Sequence, residues 1–67
     1  MSTFKDASQV RLMLKMKLSQ YSWYKGCMVA PESDGYLVIV NVKHLDNNVR
    51  KLISPVVNGI NVKTEAE

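Results

Sequence analysis

The sequence predicts an α+β domain: a small three-stranded sheet with two helices, in the order α-β-β-α-β. Three observations support this fold class. Apolar residues recur at helical spacing over residues 4–21, a strongly apolar strand covers residues 36–43, and a second short helical pattern precedes Pro55. The 67 residues form a single small domain by length. Because a domain of this size buries only ~60% of its unfolded surface, we expect modest stability.

The first predicted element is a helix that begins after Thr3. Thr3 is a suitable N-cap residue, and Asp6 follows it three positions later. The apolar side chains then return every three or four residues: Phe4, Ala7, Val10, Leu14, Leu18 and Tyr21. Residues 10–18 also fit a strand, because apolar side chains occupy every second position from 12 to 18. Leu, Met and Lys are good helix formers, so the helix is favoured.

A β-hairpin is predicted next. Residues 22–30 are rich in aromatic and aliphatic side chains, and residues 31–35 read Pro-Glu-Ser-Asp-Gly, a turn sequence. Residues 36–43 form the second strand, which is apolar on both of its faces. Such a strand is expected to be covered on both sides. Either two helices enclose the sheet, or a second copy or a partner protein covers one face.

The second helix is predicted to be short. Asp46 is a suitable N-cap residue, and the apolar side chains at positions 45, 49, 52 and 53 share one helical face. Pro55 ends the helix, because the residue before a proline is disfavoured in helical conformation.

The chain is predicted to end in one more strand. Asn58-Gly59 forms a turn, and Ile60 and Val62 alternate with polar residues in a short strand after it. This strand reaches the sheet after a helix, so it is expected to lie parallel to its neighbour through a right-handed crossover. Residues 63–67 are expected to be a loose acidic tail. From residue 34 to residue 62 the order resembles small β-α-β modules, a likeness of fold that assigns no functional residue.

Composition limits the classes of function. The net charge is +3, and the single Cys27 cannot form a disulfide within the chain. One cysteine and one histidine do not supply the usual four ligands of a zinc site, so no metal or cofactor is expected. No apolar run approaches the ~20 residues that cross a bilayer. The first residues lack the pattern of a secretory signal, so we expect a cytoplasmic protein without a membrane partner.

Catalytic residues are not expected. Cys27 and His44 are the most plausible nucleophile–base pair, but Cys27 falls in a predicted strand, where a buried thiol is common. The glycines are isolated, which excludes a glycine-rich phosphate loop. The sequence therefore predicts that the protein is not an enzyme and has no small-molecule substrate.

A protein interface has a more specific basis. Leu12, Met13 and Met16 lie off the main apolar stripe of the first helix, and Lys15 and Lys17 lie between and beside them. Methionine is common at binding surfaces, and exposed apolar patches usually mark interaction sites. The competing interpretation is that this helix is buried on two sides. We expect the lysines to steer an approaching partner electrostatically.

The best functional prediction is therefore a small, non-enzymatic intracellular protein-interaction module. It would serve as an adaptor, inhibitor or regulatory subunit by occupying the surface of another protein, or of a second copy in a homodimer. Its small size suits a product of a phage or mobile element that blocks a host machine.

A basic nucleic-acid-binding domain is the alternative. Its candidate residues combine aromatic rings with cations: Trp23, Lys25, Tyr36, Lys43, Arg50 and Lys51. Rings of this kind stack on unpaired bases, while cations neutralise phosphates. Against it, Trp23 and its neighbour Tyr24 are expected on opposite faces of one strand, which would prevent a shared platform. The cations are also few and scattered along the chain.

Overall fold

The computed structural model describes residues 3–67, which form two helices and a four-stranded mixed sheet. The elements are α1 (Phe4–Leu18), β1 (Tyr24–Glu32), β2 (Gly35–Val42), α2 (Asn47–Leu52), β3 (Val56–Val57) and β4 (Ile60–Ala66). The strand order is β1-β2-β4-β3; β1 is antiparallel to β2, β4 is parallel to β2, and β3 is antiparallel to β4. The α+β class is confirmed, and the number of strands is corrected from three to four.

Polar side chains determine both ends of α1. The Thr3 hydroxyl accepts a hydrogen bond from the Asp6 N–H at 3.1 Å, as an N-cap should. Residues 10–18 are helical, so the strand alternative is wrong. The helix ends three residues before the predicted Tyr21. Ser19 and Gln20 donate side-chain hydrogen bonds to carbonyls of the last turn, which satisfies groups that a helix end leaves free.

The β1–β2 hairpin turns over two residues, 33 and 34, instead of the predicted five. Pro31 therefore belongs to β1, where it pairs with Tyr36. A two-residue turn makes Glu32 and Gly35 a hydrogen-bonded pair, so the backbone of Pro31 faces away from β2. Proline is tolerated at that position, because an N–H there would have no ladder partner.

A β-bulge at Lys25 sets the start of β1. Tyr24 pairs with Val42 and Gly26 with Asn41, so one extra residue is accommodated between them. Gly26 has a φ of +153°, a value that L side chains rarely adopt. Because of the bulge, Tyr24 and Cys27 lie on the same face of β1 although they are three residues apart.

The C-terminal part of the sheet differs most from the prediction. Asn58 and Gly59 both have positive φ, +50° and +79°, which is the geometry of a type I′ hairpin turn. This turn folds the two-residue β3 back on β4, and β3 is the strand that the sequence did not predict. The parallel pairing of β4 with β2 is as predicted.

The prediction of a loose tail over residues 63–67 is wrong. β4 continues to Ala66, and the Glu67 N–H still donates to the Val42 carbonyl at 3.1 Å. Without this pairing, the edge of β2 that faces away from β1 would leave backbone groups unpaired next to the core. The pairing with β4 therefore continues to the end of β2.

The core lies on one face of the sheet. Val38, Val40 and Val42 of β2 are fully buried. They share a core with the stripe of α1 (Ala7, Val10, Leu14, Leu18), with Val49 of α2 and with Ile53, which directly follows α2. Both helices therefore cover the same face, and they do not enclose the sheet. Within residues 3–67, neither helix has the length and apolar character needed to cross a membrane.

Candidate interaction surfaces

The outer face of α1 exposes three large apolar side chains, Leu12, Met13 and Met16, which we call the α1 patch. Their exposed fractions are 50%, 51% and 73%. They are neighbours at spacings of three and four residues, and they face away from the sheet, since the opposite stripe of α1 is buried. The Asn58 amide lies 3.9 Å from the Met13 sulfur, so the patch extends towards the β3–β4 turn.

The two lysines predicted to steer a partner have different surroundings. Lys15 is exposed on α1. Lys17 donates a hydrogen bond from Nζ to the Leu52 carbonyl at 3.4 Å, which links α1 to the end of α2. Lys17 therefore has a structural contact in addition to its charge, and Lys15 is the better placed of the two to meet a partner.

The second face of the sheet is not covered by either helix, and we call it the open sheet face. At its centre Met28 of β1 lies opposite Ile39 of β2, and Ile39 lies opposite Lys63 of β4. Met28 is 51% exposed, and Leu37 and Ile39 are partly exposed. The apolar side chains that β2 contributes to this face, Leu37 and Ile39, were evident in the sequence. The contribution of Met28 was not, because it depends on the strand pairing.

Charged and polar side chains border this face. Lys63 and Glu65 form an ion pair at 3.5 Å. The Asn61 amide donates to the Glu32 carboxylate at 3.4 Å. One lysine and two glutamates leave the face close to neutral, with an apolar centre.

The aromatic candidates for nucleic-acid binding pack against the core. Trp23 stacks on Tyr21 with ring centroids 4.9 Å apart, and Tyr36 meets Phe4 edge to face at 5.4 Å. Trp23 and Tyr24 both contact the core, so the prediction that they point to opposite faces is wrong. Strand alternation does not apply to them, because Trp23 precedes β1.

The cationic candidates lie on separate elements. Lys25 is on β1, where it pairs with Glu67 at 2.9 Å. Lys43 follows β2 and is exposed, with its backbone N–H bonded to the Trp23 carbonyl at 2.8 Å. Arg50 and Lys51 are on α2. These four cations therefore lie on three different segments of the chain, and of them Lys43 is paired through its backbone with Trp23.

Cys27 and His44 have different hydrogen-bonding partners. The Tyr24 hydroxyl donates to the Cys27 sulfur at 3.2 Å, and the thiol donates to the Arg11 carbonyl at 3.3 Å. His44 lies 3.3 Å from the Asp46 carboxylate, which also caps α2. Over the described residues, 3–67, no three His, Cys, Asp or Glu side chains cluster in a way that could hold a metal ion.

A groove of about 390 Å³ lies between α2 and β4, and we call it the α2–β4 groove. Its lining residues come from α2, from the segments on either side of α2, and from β4: Leu45, Arg50, Ile53, Pro55, Val62 and Thr64. Arg50 is also a candidate residue for nucleic-acid binding, whereas the groove itself was not predicted; Thr64 lines it beyond the end of the β3–β4 pairing.

No protein-family model, curated protein or solved structure matches this chain.

Proposed function

We propose that this protein is a non-enzymatic interaction module that occupies the surface of a partner protein through the α1 patch. The observation that carries the proposal is the exposure of Leu12, Met13 and Met16 side by side on a helix whose other face forms the core. Contiguous exposed apolar side chains mark interaction sites, and flexible methionine side chains adapt to a partner's contours. Acting in the cytoplasm, the module serves as an adaptor, inhibitor or regulatory subunit.

The charge of α1 indicates the chemistry of that partner. The helix carries Lys5, Arg11, Lys15 and Lys17 against the single acid Asp6. A partner surface with an apolar depression and an acidic border complements this helix, and the opposite charges speed the encounter.

The experiment compares proteins captured by the wild type with those captured by a Met13→Glu, Met16→Glu double variant. The matched control is an Asn47→Glu, Asn48→Glu variant, which adds the same charge at two exposed positions of α2. We expect one protein to be retained by the wild type and the control and lost by the double variant. A captured protein that all three retain equally would overturn the proposal.

Nucleic-acid binding remains the alternative, and salt dependence distinguishes it. Phosphate contacts make the logarithm of the affinity fall linearly with the logarithm of salt concentration, whereas an apolar interface responds little. Binding to a fluorescent single-stranded oligonucleotide that falls steeply with salt, and that Lys43→Glu weakens, would favour the alternative.

We also propose that a second copy of the chain covers the open sheet face. The face is nearly neutral, and it carries both Lys63 and Glu65, so two copies can meet without net repulsion. The face consists of three strands ~4.8 Å apart, each about seven residues long at ~3.3 Å per residue, so its total area is roughly 330 Å². A stable interface uses about 800 Å² per partner, so we expect this dimer to be weak and to form only at high protein concentration.

Molar mass in solution tests the dimer. Light scattering over a range of concentrations should show the mass rising towards twice the monomer, with similar results at low and high salt. A monomer at every concentration would contradict this second proposal and leave the first intact.

A further inference from the structure

The α2–β4 groove has an unpaired strand edge along its floor. β3 pairs with β4 only opposite Ile60 and Asn61, and the Pro55 carbonyl then accepts the Val62 N–H at 2.8 Å. Beyond Val62, no further strand of the described residues borders β4 on that side. The edge over residues 63–66 is therefore open to an additional strand.

Two hydrogen bonds show which backbone groups face this edge. The Glu67 N–H donates to Val42 in β2, whereas the Val62 N–H donates to Pro55 on the other side of β4. Backbone groups alternate in direction along a strand, so odd-numbered residues of β4 bond to β2 and even-numbered residues face outwards. Thr64 and Ala66 therefore present their N–H and C=O groups to the open edge.

The side chains around the groove define what it can hold. Leu45, Ile53 and Pro55 provide apolar surface, and about 390 Å³ falls in the range of binding clefts, ~300–1,000 Å³. Of the six lining residues, Arg50 carries a charge. The planar guanidinium of arginine favours a carboxylate, with which it forms two parallel hydrogen bonds.

We propose that an extended, acidic peptide segment of a partner protein adds to β4 as a fifth strand in this groove. Its backbone pairs with Thr64 and Ala66, one apolar side chain enters the groove, and an Asp or Glu side chain binds Arg50. Strand addition of this kind takes affinity from the backbone and specificity from alternate side chains. The site is separate from the α1 patch and does not depend on it.

A second copy of the chain is a poorer occupant of this edge. An antiparallel pairing centred on Thr64 would place the second copy's residue 66 at Val62, where Pro55 already lies. The register that uses both Thr64 and Ala66 centres on Glu65 and places the two Glu65 side chains opposite each other. Like charges directly opposite in a sheet are destabilising.

The first test is a titration of the isotope-labelled protein followed by amide NMR. The probe is a capped octapeptide with threonine at every second position and valine and aspartate in turn at the positions between, so that both valine and aspartate can face the groove, and the control peptide has lysine in place of each aspartate. We expect the Thr64 and Ala66 amide signals to shift with the acidic probe, with affinity about tenfold or more above that for the basic peptide. Shifts confined to the α1 patch, or no shifts at millimolar peptide, would overturn the proposal.

Two matched variants then separate the groove from general charge. Arg50→Glu and Lys51→Glu make the same change on neighbouring positions of α2, but only Arg50 lines the groove. We expect Arg50→Glu to weaken binding about tenfold or more and Lys51→Glu to leave it within about twofold. An equal loss in both variants would show nonspecific attraction and overturn the proposal.

Thr64→Pro tests the backbone contact. It removes one outward N–H and no hydrogen bond to β2, so the sheet should persist while binding falls. A folded Thr64→Pro variant that binds as tightly as the wild type would refute strand addition. If this variant fails to fold, the Arg50 and Lys51 comparison decides the question.

Discussion

The Tyr24 hydroxyl donates a hydrogen bond to the Cys27 sulfur at 3.2 Å, and the Cys27 thiol in turn donates one to the Arg11 carbonyl of α1 at 3.3 Å. The bulge at Lys25 makes this possible, because it brings both side chains to the core face of β1. The relay links the edge strand to the helix that covers it. Burial and the hydrogen bond with Cys27 together raise the pKa of Tyr24 to about 12, from an ordinary value of 10.0.

The first prediction concerns alkaline pH. The folded state holds the Tyr24 proton more tightly than the unfolded state, so this proton adds to the free energy of unfolding below pH 10. The contribution is lost as the pH rises to about 12. Urea unfolding across this window should show the loss, and phenolate absorbance should show a tyrosine that titrates late. In Tyr24→Phe this part of the pH dependence should vanish. An unchanged alkaline slope in that variant would contradict the assignment.

The second prediction compares two leucines of α1. Leu18 is fully buried, whereas Leu12 is 50% exposed. Leu18→Ala should lower the free energy of unfolding by about 2–5 kcal/mol, because it removes core contacts and leaves a cavity. Leu12→Ala should change it by about 0.5 kcal/mol or less. Urea denaturation measures both, and similar losses in the two variants would show that the outer face of α1 is buried in solution.

The third prediction concerns the start of α2. The Asp46 carboxylate accepts a hydrogen bond from the Val49 N–H at 2.9 Å. Asp46→Ala should cost about 0.5–2 kcal/mol of stability, because that N–H loses its cap. Asp46→Asn keeps an oxygen acceptor and should retain most of the stability in thermal unfolding. If Asn were as destabilising as Ala, the exposed contact with His44 would matter more than the cap.

The fourth prediction separates the two apolar surfaces. Ile39→Lys places a charge at the centre of the open sheet face and should shift the dimer to monomer at concentrations where the wild type associates. Its free energy of unfolding should fall by about 0.5–3 kcal/mol, since most of the Ile39 side chain is buried, and the variant should still fold. The Met13→Glu, Met16→Glu variant should remain dimeric by sedimentation. If it dissociates and Ile39→Lys does not, the α1 patch is the dimer contact.

Local patterns in the sequence were sufficient for most of the fold. The apolar stripe of α1, its Thr3 cap, the Asp46 cap and the parallel last strand could all be predicted, because each depends on neighbouring residues or on a simple chain-crossing rule. The α1 patch was predictable for the same reason, since helical spacing determines which side chains face away from the core.

The pairing of the strands could not be predicted from such local patterns. The sequence shows an Asn-Gly turn, but a two-residue β3 becomes visible only when β4 lies beside it. Residues 63–67 are polar and acidic, which suggests a loose tail, yet β2 pairs with them because its backbone groups need partners. Propensity is a weak guide where a neighbouring strand determines the conformation.

The pattern of residues along the chain was enough to show that the central strand is apolar on both faces, that α1 has an apolar stripe and a second apolar patch, and where both helices begin. The packing of the elements was needed to show that both helices cover the same face of the sheet and that β4 extends past β3. It thereby created the open sheet face and the α2–β4 groove. The physical reason is that periodicity assigns a side chain to a face of its own element, whereas the element that covers that face depends on contacts between residues far apart in the chain.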